Sequence, residues 1–472
     1  MIRVIVISIF LFSSLFSKVF GQENKTLTKI QMQQDITALV GKIKYTHPNP
    51  YYYRSKSDWK IYLDSVQGNL PETLSEFDFW RKIDQILIFM NDAHTRSYPT
   101  KFYKEYVKND GLFFPFSIEN REGNYFVAKN SSGTTIDTNE KIIAINGIPI
   151  QEIIAKLKLH SSKELDYLDE KYVTSSFGYY LWWAYDLKSP YKIDFSDENN
   201  KTRTIEINGI LEKDFPKENE EKNEEICTLS IEKDSVALLT IKDFDSEKRS
   251  YFKKFYRKSF KKINKLKIKN IVIDVRNHNG GDSRYGEDFA KYFADKPFRI
   301  SSKTIWKVTP EFKNGFAQMY VPKVMRWAKF LYGINKHTKA IWHTKDNELA
   351  VVNNKLIKPK RSALKYKRNI YVLTDNYTFS AGSMFAGMVK DYQLGTIVGQ
   401  PTGNLSSFYA DPFLWYQLPN SKITFQVSTS LEVRPNGIID TESILPDIYI
   451  NDKEDALEKT FELIQAKNHL PK

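Results

Sequence analysis

The fold of this chain is decided by the stretch Asn369-Ile-Tyr-Val-Leu-Thr-Asp-Asn-Tyr-Thr-Phe-Ser380-Ala-Gly. Its first half is apolar and rich in branched and aromatic residues, which predicts a buried strand. Apolar residues beyond Ser380 recur at the spacing of one helix face, and they are Ala381, Met384, Phe385, Met388 and Val389. The stretch therefore predicts a strand that leads through a short loop into a helix, with Ser380 at the start of that helix.

Ser380 has two interpretations. Serine is a common helix N-cap, because its hydroxyl accepts a hydrogen bond from a free backbone N–H group. The same position also suits a catalytic nucleophile, because unpaired N–H groups and the helix dipole stabilise the negative charge that develops during acyl transfer. The stretch alone does not decide between the two.

Strands alternate with helices from about residue 226 onward. Besides the strand before Ser380, strands are predicted at 235–241, 271–275, 396–398 and 423–427. This alternation predicts a largely parallel sheet with helices on both faces, within a multidomain α/β (α+β) protein. Ligands bind such sheets at the carboxyl ends of the strands, where both Ser380 and the loop 277–282 fall.

The first half of the chain has different patterns. Residues from about 27 to 100 are predicted as helical, and the last of these helices starts with a capping box at Ser75. His94 follows in the loop directly after that helix. From about 111 to 165 short alternating strands are predicted, with a tight turn at Asn146-Gly147.

The start of the chain indicates export. Residues 1–21 have a basic beginning, a short apolar run and a small-residue end, which predicts a signal peptide cleaved near Gly21-Gln22. The remaining length suggests about three domains at ~150 residues per domain. Cys227 is the single cysteine, so an internal disulfide framework is excluded. We therefore expect a periplasmic or extracellular protein with no stable membrane span after processing.

The formal net charge of +13 raises the question of a nucleic-acid partner. The lysines are spread along the chain among glutamates, and no nucleic-acid-binding motif accompanies them. The densest basic run, 253–269, has apolar residues at helical spacing, which is typical of an amphipathic helix with a solvated basic face. We therefore expect no nucleic-acid partner. The sequence also has no cluster of residues at the spacing of metal ligands, so we expect neither a metal nor a cofactor.

Gly280 and Gly281 follow one predicted strand and precede a helix. Such a pair allows either a tight turn with positive φ or a close approach of backbone N–H donors to an anion. Together with Ser380, the loop predicts an oxyanion hole formed by Gly280 or Gly281 and by the N–H group of Ala381.

Several motifs, taken in their order along the chain, resemble one enzyme family. They are Asp92-Ala-His94-Thr95, Asp274-Val-Arg276 with Gly280-Gly281, Thr378-Phe-Ser380-Ala381, Gly399-Gln-Pro-Thr402-Gly403, and Pro435-Asn-Gly437 with Leu445-Pro446-Asp447. With these motifs the chain resembles the serine peptidases that include the C-terminal-processing (tail-specific) proteases and the tricorn core protease. The resemblance covers nearly the whole mature chain.

This resemblance implies an architecture and a substrate class. After the signal peptide 1–21 it implies an N-terminal helical domain at 22–105, and a PDZ-like module with a connecting region at 106–225. A ClpP/crotonase-like α/β peptidase core follows at 226–472. A PDZ-like module holds an extended chain or a free carboxyl terminus, so the implied partner is a protein or peptide substrate. The oligomeric state is left open.

Two catalytic arrangements occur in the family. Processing proteases pair the serine with a lysine about 25 residues later, where this chain has Leu405. Tricorn-like members use a histidine from an earlier domain and a carboxylate shortly before a Pro-Asp pair, which correspond to His94 and Asp440 here. The resemblance thus implies Ser380 as nucleophile, His94 as general base and acid, and Asp440 as the group that orients His94.

Alternatives remain for some of these roles. His278, in the glycine loop, is the second candidate for the base, and Glu442 competes with Asp440. Thr402 and Gly403 are implied as substrate-binding residues. The chain is accordingly predicted to be an exported serine endopeptidase. The alternative is a catalytically silent peptide- or polymer-binding protein on the same scaffold.

Overall fold

The computed structural model describes residues 26–469 apart from gaps at 162–163, 198–200, 216–224, 233–235, 329–331, 334–338, 360–361, 412–413 and 452. The predicted signal peptide lies outside the described residues. Three packed regions each have a buried apolar cluster, and we name them the N-terminal domain (26–108), the middle domain (112–211) and the core domain (227–469). Among the described residues, no helix combines the length and the apolar composition needed to cross a bilayer.

The N-terminal domain is mainly helical. Its elements are β1 (Thr26–Thr28), α1 (Lys29–Thr46), α2 (Lys56–Gly68), β2 (Thr73–Ser75), α3 (Glu76–Ile88), β3 (Arg96–Ser97) and α4 (Thr100–Lys108). Thr28, Ser55 and Ser75 cap the first three helices, each accepting a hydrogen bond from a backbone N–H group of the first turn. The apolar faces of these helices pack in one cluster with Phe425 and Val427 of the core domain.

The middle domain packs a six-stranded sheet against short helices. Its elements are β4 (Leu112–Phe113), β5 (Phe116–Arg121), β6 (Asn124–Asn130), β7 (Lys141–Ile145), β8 (Ile148–Pro149), α5 (Ile150–Leu157), α6 (Asp166–Ser175), α7 (Phe177–Tyr180), β9 (Tyr191–Ser196), β10 (Thr202–Ile207) and β11 (Ile210–Leu211). The strand order is β10-β9-β7-β6-β5, with β8 paired to β7. The predicted turn Asn146-Gly147 joins β7 to β8, and both residues have the positive φ, 52° and 77°, that a type I′ turn requires.

The core domain contains the predicted parallel sheet. Its elements are β12 (Cys227–Glu232), β13 (Val236–Ile241), α8 (Arg249–Lys265), β14 (Asn270–Asp274), α9 (Arg284–Ala290), β15 (Lys303–Lys307), α10 (Pro310–Tyr320), α11 (Lys339–His343), β16 (Leu349–Asn353), β17 (Asn369–Thr374), α12 (Ala381–Tyr392), β18 (Thr396–Gly399), β19 (Phe408–Ala410), β20 (Leu414–Gln417), β21 (Thr424–Val427), β22 (Ser430–Val433), β23 (Ile448–Tyr449) and α13 (Ala456–His469). The sheet order is β12-β13-β14-β17-β18-β23, and all neighbours are parallel except β12 and β13. The predicted α/β fold class is confirmed.

Helices cover both faces of this sheet. Ile271 and Ile273 of β14 pack with α8, α9 and α12 on one face, whereas Val272 packs with α13 on the other. Because successive strand residues alternate between faces, a strand covered on both sides must be apolar throughout, as the centre of β14 is. This packing holds the start of α12 at the carboxyl edge of the sheet.

One predicted strand lies outside the parallel sheet. The strand predicted at 423–427 forms β21, which lies between β20 and β3 in a separate antiparallel sheet. The physical reason is that Phe425 and Val427 are buried among the apolar side chains of the N-terminal domain. Through β3 this small sheet joins the N-terminal domain to the core domain, just after His94.

Candidate active site

Ser380 lies in the loop between β17 and α12, at the carboxyl edge of the parallel sheet. Its side chain forms no capping hydrogen bond with α12, so the capping interpretation does not describe it. Its backbone has φ 52° and ψ −118°, a conformation that glycine adopts far more readily than serine. A Cβ on Gly280 would lie 2.7 Å from the Cβ of Ser380, so the backbone of the glycine loop packs directly against the serine.

His94 approaches Ser380 from the N-terminal domain. Its Nε2 lies 3.3 Å from the Oγ of Ser380, although the two residues are 286 positions apart in the chain. The pairing of β3 with β21 continues from the His94 loop, and Gln426 of β21 donates from its side-chain amide to the carbonyl of His94 at 2.9 Å. Strand pairing between two domains therefore places the imidazole beside the serine hydroxyl.

The imidazole of His94 lies between two phenyl rings. The ring of Phe379 stacks at 5.1 Å between centroids, and that of Phe408 stacks at 5.5 Å. Burial lowers the pKa of His94 to about 4, against the opposing effect of the Asp92 carboxylate, which raises it. The ring is therefore neutral at pH 7, the protonation state in which Nε2 accepts the hydroxyl proton of Ser380.

Asp92 is the buried carboxylate closest in sequence to His94. Its Oδ1 accepts the backbone N–H of His94 at 2.9 Å, and its Oδ2 accepts from Thr95 at 2.5 Å and contacts Nε2 of His47 at 3.2 Å. Burial alone would raise the pKa of Asp92, but these hydrogen bonds and the two histidines lower it to about 2. Asp92 therefore fixes the loop that presents His94 and keeps a negative charge near it.

Asp440 does not make the predicted contact with His94. Its carboxylate accepts a hydrogen bond from the hydroxyl of Ser406 at 2.8 Å and lies 3.7 Å from the guanidinium of Arg434. These contacts engage both carboxylate oxygens, and none of the described hydrogen bonds joins Asp440 to the imidazole. Within the described part of the chain, Nδ1 of His94 has no hydrogen-bond partner, although the carbonyl of Tyr409 lies near enough to raise its pKa.

Glu442 does not reach His94 either. Its side chain is exposed, and its backbone N–H and carbonyl bond to Asp440 and Ser406 respectively. Neither carboxylate that the sequence proposed as the orienting group therefore contacts the imidazole in this structure.

His278, the second candidate for the base, has a different place. It is fully buried, and its Nδ1 accepts the N–H of Gly280 at 3.1 Å. Burial lowers the pKa of His278 to about 4, which keeps this acceptor nitrogen unprotonated. The described contacts of the Ser380 hydroxyl thus include His94 and not His278. Since its N–H is engaged, Gly280 does not provide the predicted oxyanion donor, and the predicted donors that remain are Gly281 and Ala381.

The sequence profile of peptidase family S41 matches residues 235–450, and that of a PDZ domain matches residues 110–214. The core domain belongs to peptidase family S41. The protein is accordingly a serine protease, and its class of substrate is protein or peptide. A comparison of the whole sequence with curated proteins gives no match.

Solved structures resemble this S41 peptidase over nearly its whole length. Mature CPAF complexed with lactacystin aligns with a TM-score of 0.63 at 14% identity, over 93% of this chain and 97% of that chain. A mutant of CPAF aligns with a TM-score of 0.64 at 14% identity, over 93% and 96% of the two chains. A putative peptidase from Parabacteroides merdae covers 93% of this chain and 98% of that chain, at 13% identity and a TM-score of 0.47. At these identities the likeness to CPAF concerns the fold alone.

Thr402 and Gly403 of the S41 domain do not line an open substrate site. Thr402 is fully buried, and its hydroxyl accepts the backbone N–H of Ile444 at 3.1 Å. Gly403 is also buried, its N–H donates to Thr378, and a Cβ there would lie 2.5 Å from the carbonyl oxygen of Asn376. Their predicted substrate-binding role is corrected to a structural one, because their polar groups are already used inside the protein.

Three polar residues near Ser380 were not predicted as site residues from the sequence. Asn404 accepts the backbone N–H of Ser380 at its Oδ1, at 2.5 Å, and donates from Nδ2 to Glu164 at 3.1 Å. Asp92 is the third. Its bond to the amide two residues later is typical of aspartate in turns, so the sequence carried a signal for it. No local pattern marks Glu164 or Asn404, since their contacts join distant segments.

Proposed function

We propose that this chain is an exported S41 peptidase in which Ser380 attacks the peptide carbonyl and His94 transfers the protons. The observation that carries this proposal is the 3.3 Å approach of His94 Nε2 to Ser380 Oγ across two domains. A serine hydroxyl is a weak nucleophile at neutral pH unless a base lies within hydrogen-bond reach. Neutral imidazole in that position meets the requirement.

The reaction follows the chemistry of acyl transfer. As Ser380 Oγ bonds to the carbonyl carbon, its proton moves to Nε2 of His94, and the imidazolium then protonates the leaving amine. Water, deprotonated by the same nitrogen, then attacks the acyl-enzyme. As the bond from the acyl carbon to Oγ breaks, the imidazolium returns the proton to Oγ of Ser380 and the acid product is released. The N–H groups of Gly281 and Ala381 are the proposed donors to the oxyanion, each worth on the order of 3 kcal/mol.

Asp92 is the proposed carboxylate of this Ser-His-Asp arrangement. It does not contact the imidazole ring, but its charge raises the pKa of His94 and so favours the imidazolium that forms during attack. Asp440, hydrogen-bonded to Ser406, is the matched comparison. We expect Asp92→Asn to slow acylation by roughly tenfold or more, the size of effect that corresponds to 1.4 kcal/mol, and Asp440→Asn to slow it less.

A fluorophosphonate probe tests the nucleophile directly. The wild-type protein should be labelled at one site, Ser380→Ala should abolish labelling, and His94→Ala should slow it by several orders of magnitude. Persistent labelling of the Ser380→Ala variant would rule out this nucleophile. A wild-type protein that stays unlabelled while it still binds peptides would favour the silent binding protein instead.

Export is the second part of the proposal. It is supported by the basic start, apolar run and small-residue end of residues 1–21. Expression of the full chain in a bacterium, followed by fractionation and N-terminal sequencing, tests it. We expect a mature protein outside the cytoplasm that begins at about Gln22; an intact N-terminus in the cytoplasmic fraction would contradict export.

A further inference from the structure

Glu164 of the middle domain is linked to the nucleophile by two hydrogen bonds. Its Oε2 accepts Nδ2–H of Asn404 at 3.1 Å, and Oδ1 of Asn404 accepts the backbone N–H of Ser380 at 2.5 Å. Asn404 is fully buried. A side chain from outside the core domain therefore ends two hydrogen bonds away from the residue that performs the attack.

The segment that carries Glu164 is docked firmly on the core domain. Tyr167 donates from its hydroxyl to the carbonyl of Thr402 at 2.8 Å, and Lys171 donates to the side-chain oxygen of Asn376 at 3.1 Å. Apolar side chains continue this contact and form one buried cluster, whose members include Leu165, Leu168, Leu405 and Phe408. The Glu164 contact is thus part of an extended interface around the nucleophile loop.

We propose that Glu164 is a positioning residue of the active site, which acts through Asn404 to hold the backbone of Ser380 in the conformation that directs its hydroxyl at His94. The proposal rests on the proposed function, since it takes Ser380 as the nucleophile. Glu164 touches neither the substrate nor the reacting atoms.

The two ends of a primary amide explain why Asn404 needs a partner. Its oxygen accepts and its nitrogen donates, so only one orientation satisfies the N–H of Ser380. Glu164 supplies an acceptor on the opposite side and thereby selects that orientation. Without this acceptor, rotation of the amide by half a turn would set a donor against the N–H of Ser380, and the strained φ of 52° would lose a restraint.

The charge state of Glu164 guides the choice of variants. Burial, followed by the charge of Asp92, raises the pKa of Glu164 to about 8. At pH 7 the side chain is therefore mainly the neutral acid, and glutamine is close to it in shape, charge and accepting oxygen. Other charged or titratable groups face Glu164 from neighbouring elements, namely Arg96, Tyr53, Tyr167 and Tyr172.

The experiment measures the fluorophosphonate inactivation rate constant and the probe's inhibition constant on the full mature protein at pH 7. Glu164→Ala should lower the rate constant by roughly 10- to 100-fold, the effect expected from a nucleophile displaced by about 1 Å, with the inhibition constant unchanged. Glu164→Gln should stay within about threefold of wild type, because it preserves the acceptor. A general loosening of the fold would not separate these two variants.

A double-mutant cycle with Asn404→Ala tests the route of the effect. Glu164→Ala should have no further effect in the Asn404→Ala background, because both substitutions break the same chain of hydrogen bonds.

Tyr167→Phe, which removes one neighbouring bond between the same segment and the core domain, is the control and should label at the wild-type rate. Thermal melting checks that each variant is folded; if Glu164→Ala does not fold, Glu164→Met replaces it, since methionine keeps the stem and is a weak acceptor.

Three results would overturn the proposal. They are a wild-type rate for Glu164→Ala, equal losses for Glu164→Ala and Glu164→Gln, and additive losses in the double variant. Failure of the proposed function is a separate outcome, because it would appear as labelling of the Ser380→Ala protein or as a wild-type protein that is not labelled.

Discussion

Ser380 keeps a backbone conformation that its side chain disfavours. Its φ of 52° and ψ of −118° match the first central position of a type II′ turn, which glycine usually occupies. Such a conformation costs on the order of 1–3 kcal/mol and persists only where the surroundings enforce it. Here the enforcing contacts are the close approach of Gly280 and the hydrogen bond from the Ser380 N–H to Asn404.

Gly280→Ala tests the close approach. The new methyl group would lie 2.7 Å from the Cβ of Ser380, at a φ of +105° that alanine rarely adopts. We expect labelling by a fluorophosphonate to fall by at least about 100-fold, since a displacement of about 1 Å has an effect of that order. Gly147→Ala is the matched control, because it has a positive φ of +77° but open space around it. It should lower the melting temperature and leave labelling unchanged; equal labelling of both variants would contradict the role of Gly280.

The pH dependence of acylation follows from the burial of His94. In the proposed mechanism the reactive form is neutral imidazole, whose fraction falls as pH drops through the pKa of about 4. Labelling should therefore be constant from neutral pH to about 5 and then fall roughly tenfold per pH unit below 4. Asp92→Asn removes the charge that raises this pKa, so its acid limb should move to lower pH. A wild-type limb near the ordinary value of 6.5 would show that the imidazole is solvated rather than enclosed.

Two short strands bring His94 and Ser380 together. β3 has only two residues, yet its pairing with β21 connects the N-terminal domain to the core domain. The contact continues past the ladder, because the N–H of Ser428 donates to the hydroxyl of Thr95 at 3.0 Å. The position of His94 therefore depends on an interdomain sheet rather than on its own loop alone.

Gln426→Ala tests this element. Gln426 is buried and donates to the carbonyl of His94, so its loss leaves a polar group without its partner, at a cost of roughly 1–3 kcal/mol. We expect a lower free energy of unfolding and a roughly tenfold slower acylation, since the imidazole loses a restraint on its position. Gln417→Ala in the neighbouring strand β20 is the control, because its side chain is exposed and bonds to Lys422. Equal acylation rates of the two variants would contradict the restraint.

Local patterns predicted the main elements but not the interdomain sheet. The apolar runs of β14 and β17 and the helical period of α12 appear within single segments, so the parallel sheet followed from the sequence. A strand of two residues such as β3 has no period to detect. β21 is long enough to be predicted as a strand. Its partner β3 is not, so the sheet that the two strands form could not be predicted.

The site takes residues from all three domains of the molecule. His94 comes from the N-terminal domain, Glu164 from the middle domain, and Ser380 with Asn404 from the core domain. The order of motifs was enough to predict Ser380 and His94 as partners. The prediction that Asp440 contacts His94 was wrong, because Asp440 bonds to Ser406 instead. That contact joins two distant loops, and no local pattern reveals it.

Buried carboxyl groups should make the stability of the molecule pH-dependent. Burial raises the pKa of Glu164 to about 8, and burial, followed by the charge of Asp411, also raises the pKa of Glu432. A group whose pKa is raised on folding stabilises the protein fully below its unfolded pKa and loses this contribution as pH rises through the folded value. His94 and His278 have lowered pKa values and act in the opposite direction, but only below about pH 6.5.

The free energy of unfolding should therefore fall between about pH 6.5 and 8, by up to roughly 1.4 kcal/mol per pH unit for each carboxyl, and level off above. The melting temperature should fall over the same range. Differential scanning fluorimetry of the mature protein across this range measures the slope. The double variant Glu164→Gln with Glu432→Gln should flatten it, because neither amide titrates, whereas Glu152→Gln on the exposed surface of α5 should leave it unchanged. A melting temperature that rises from pH 6.5 to 8 would mean that neither carboxyl holds a proton in the folded protein at neutral pH.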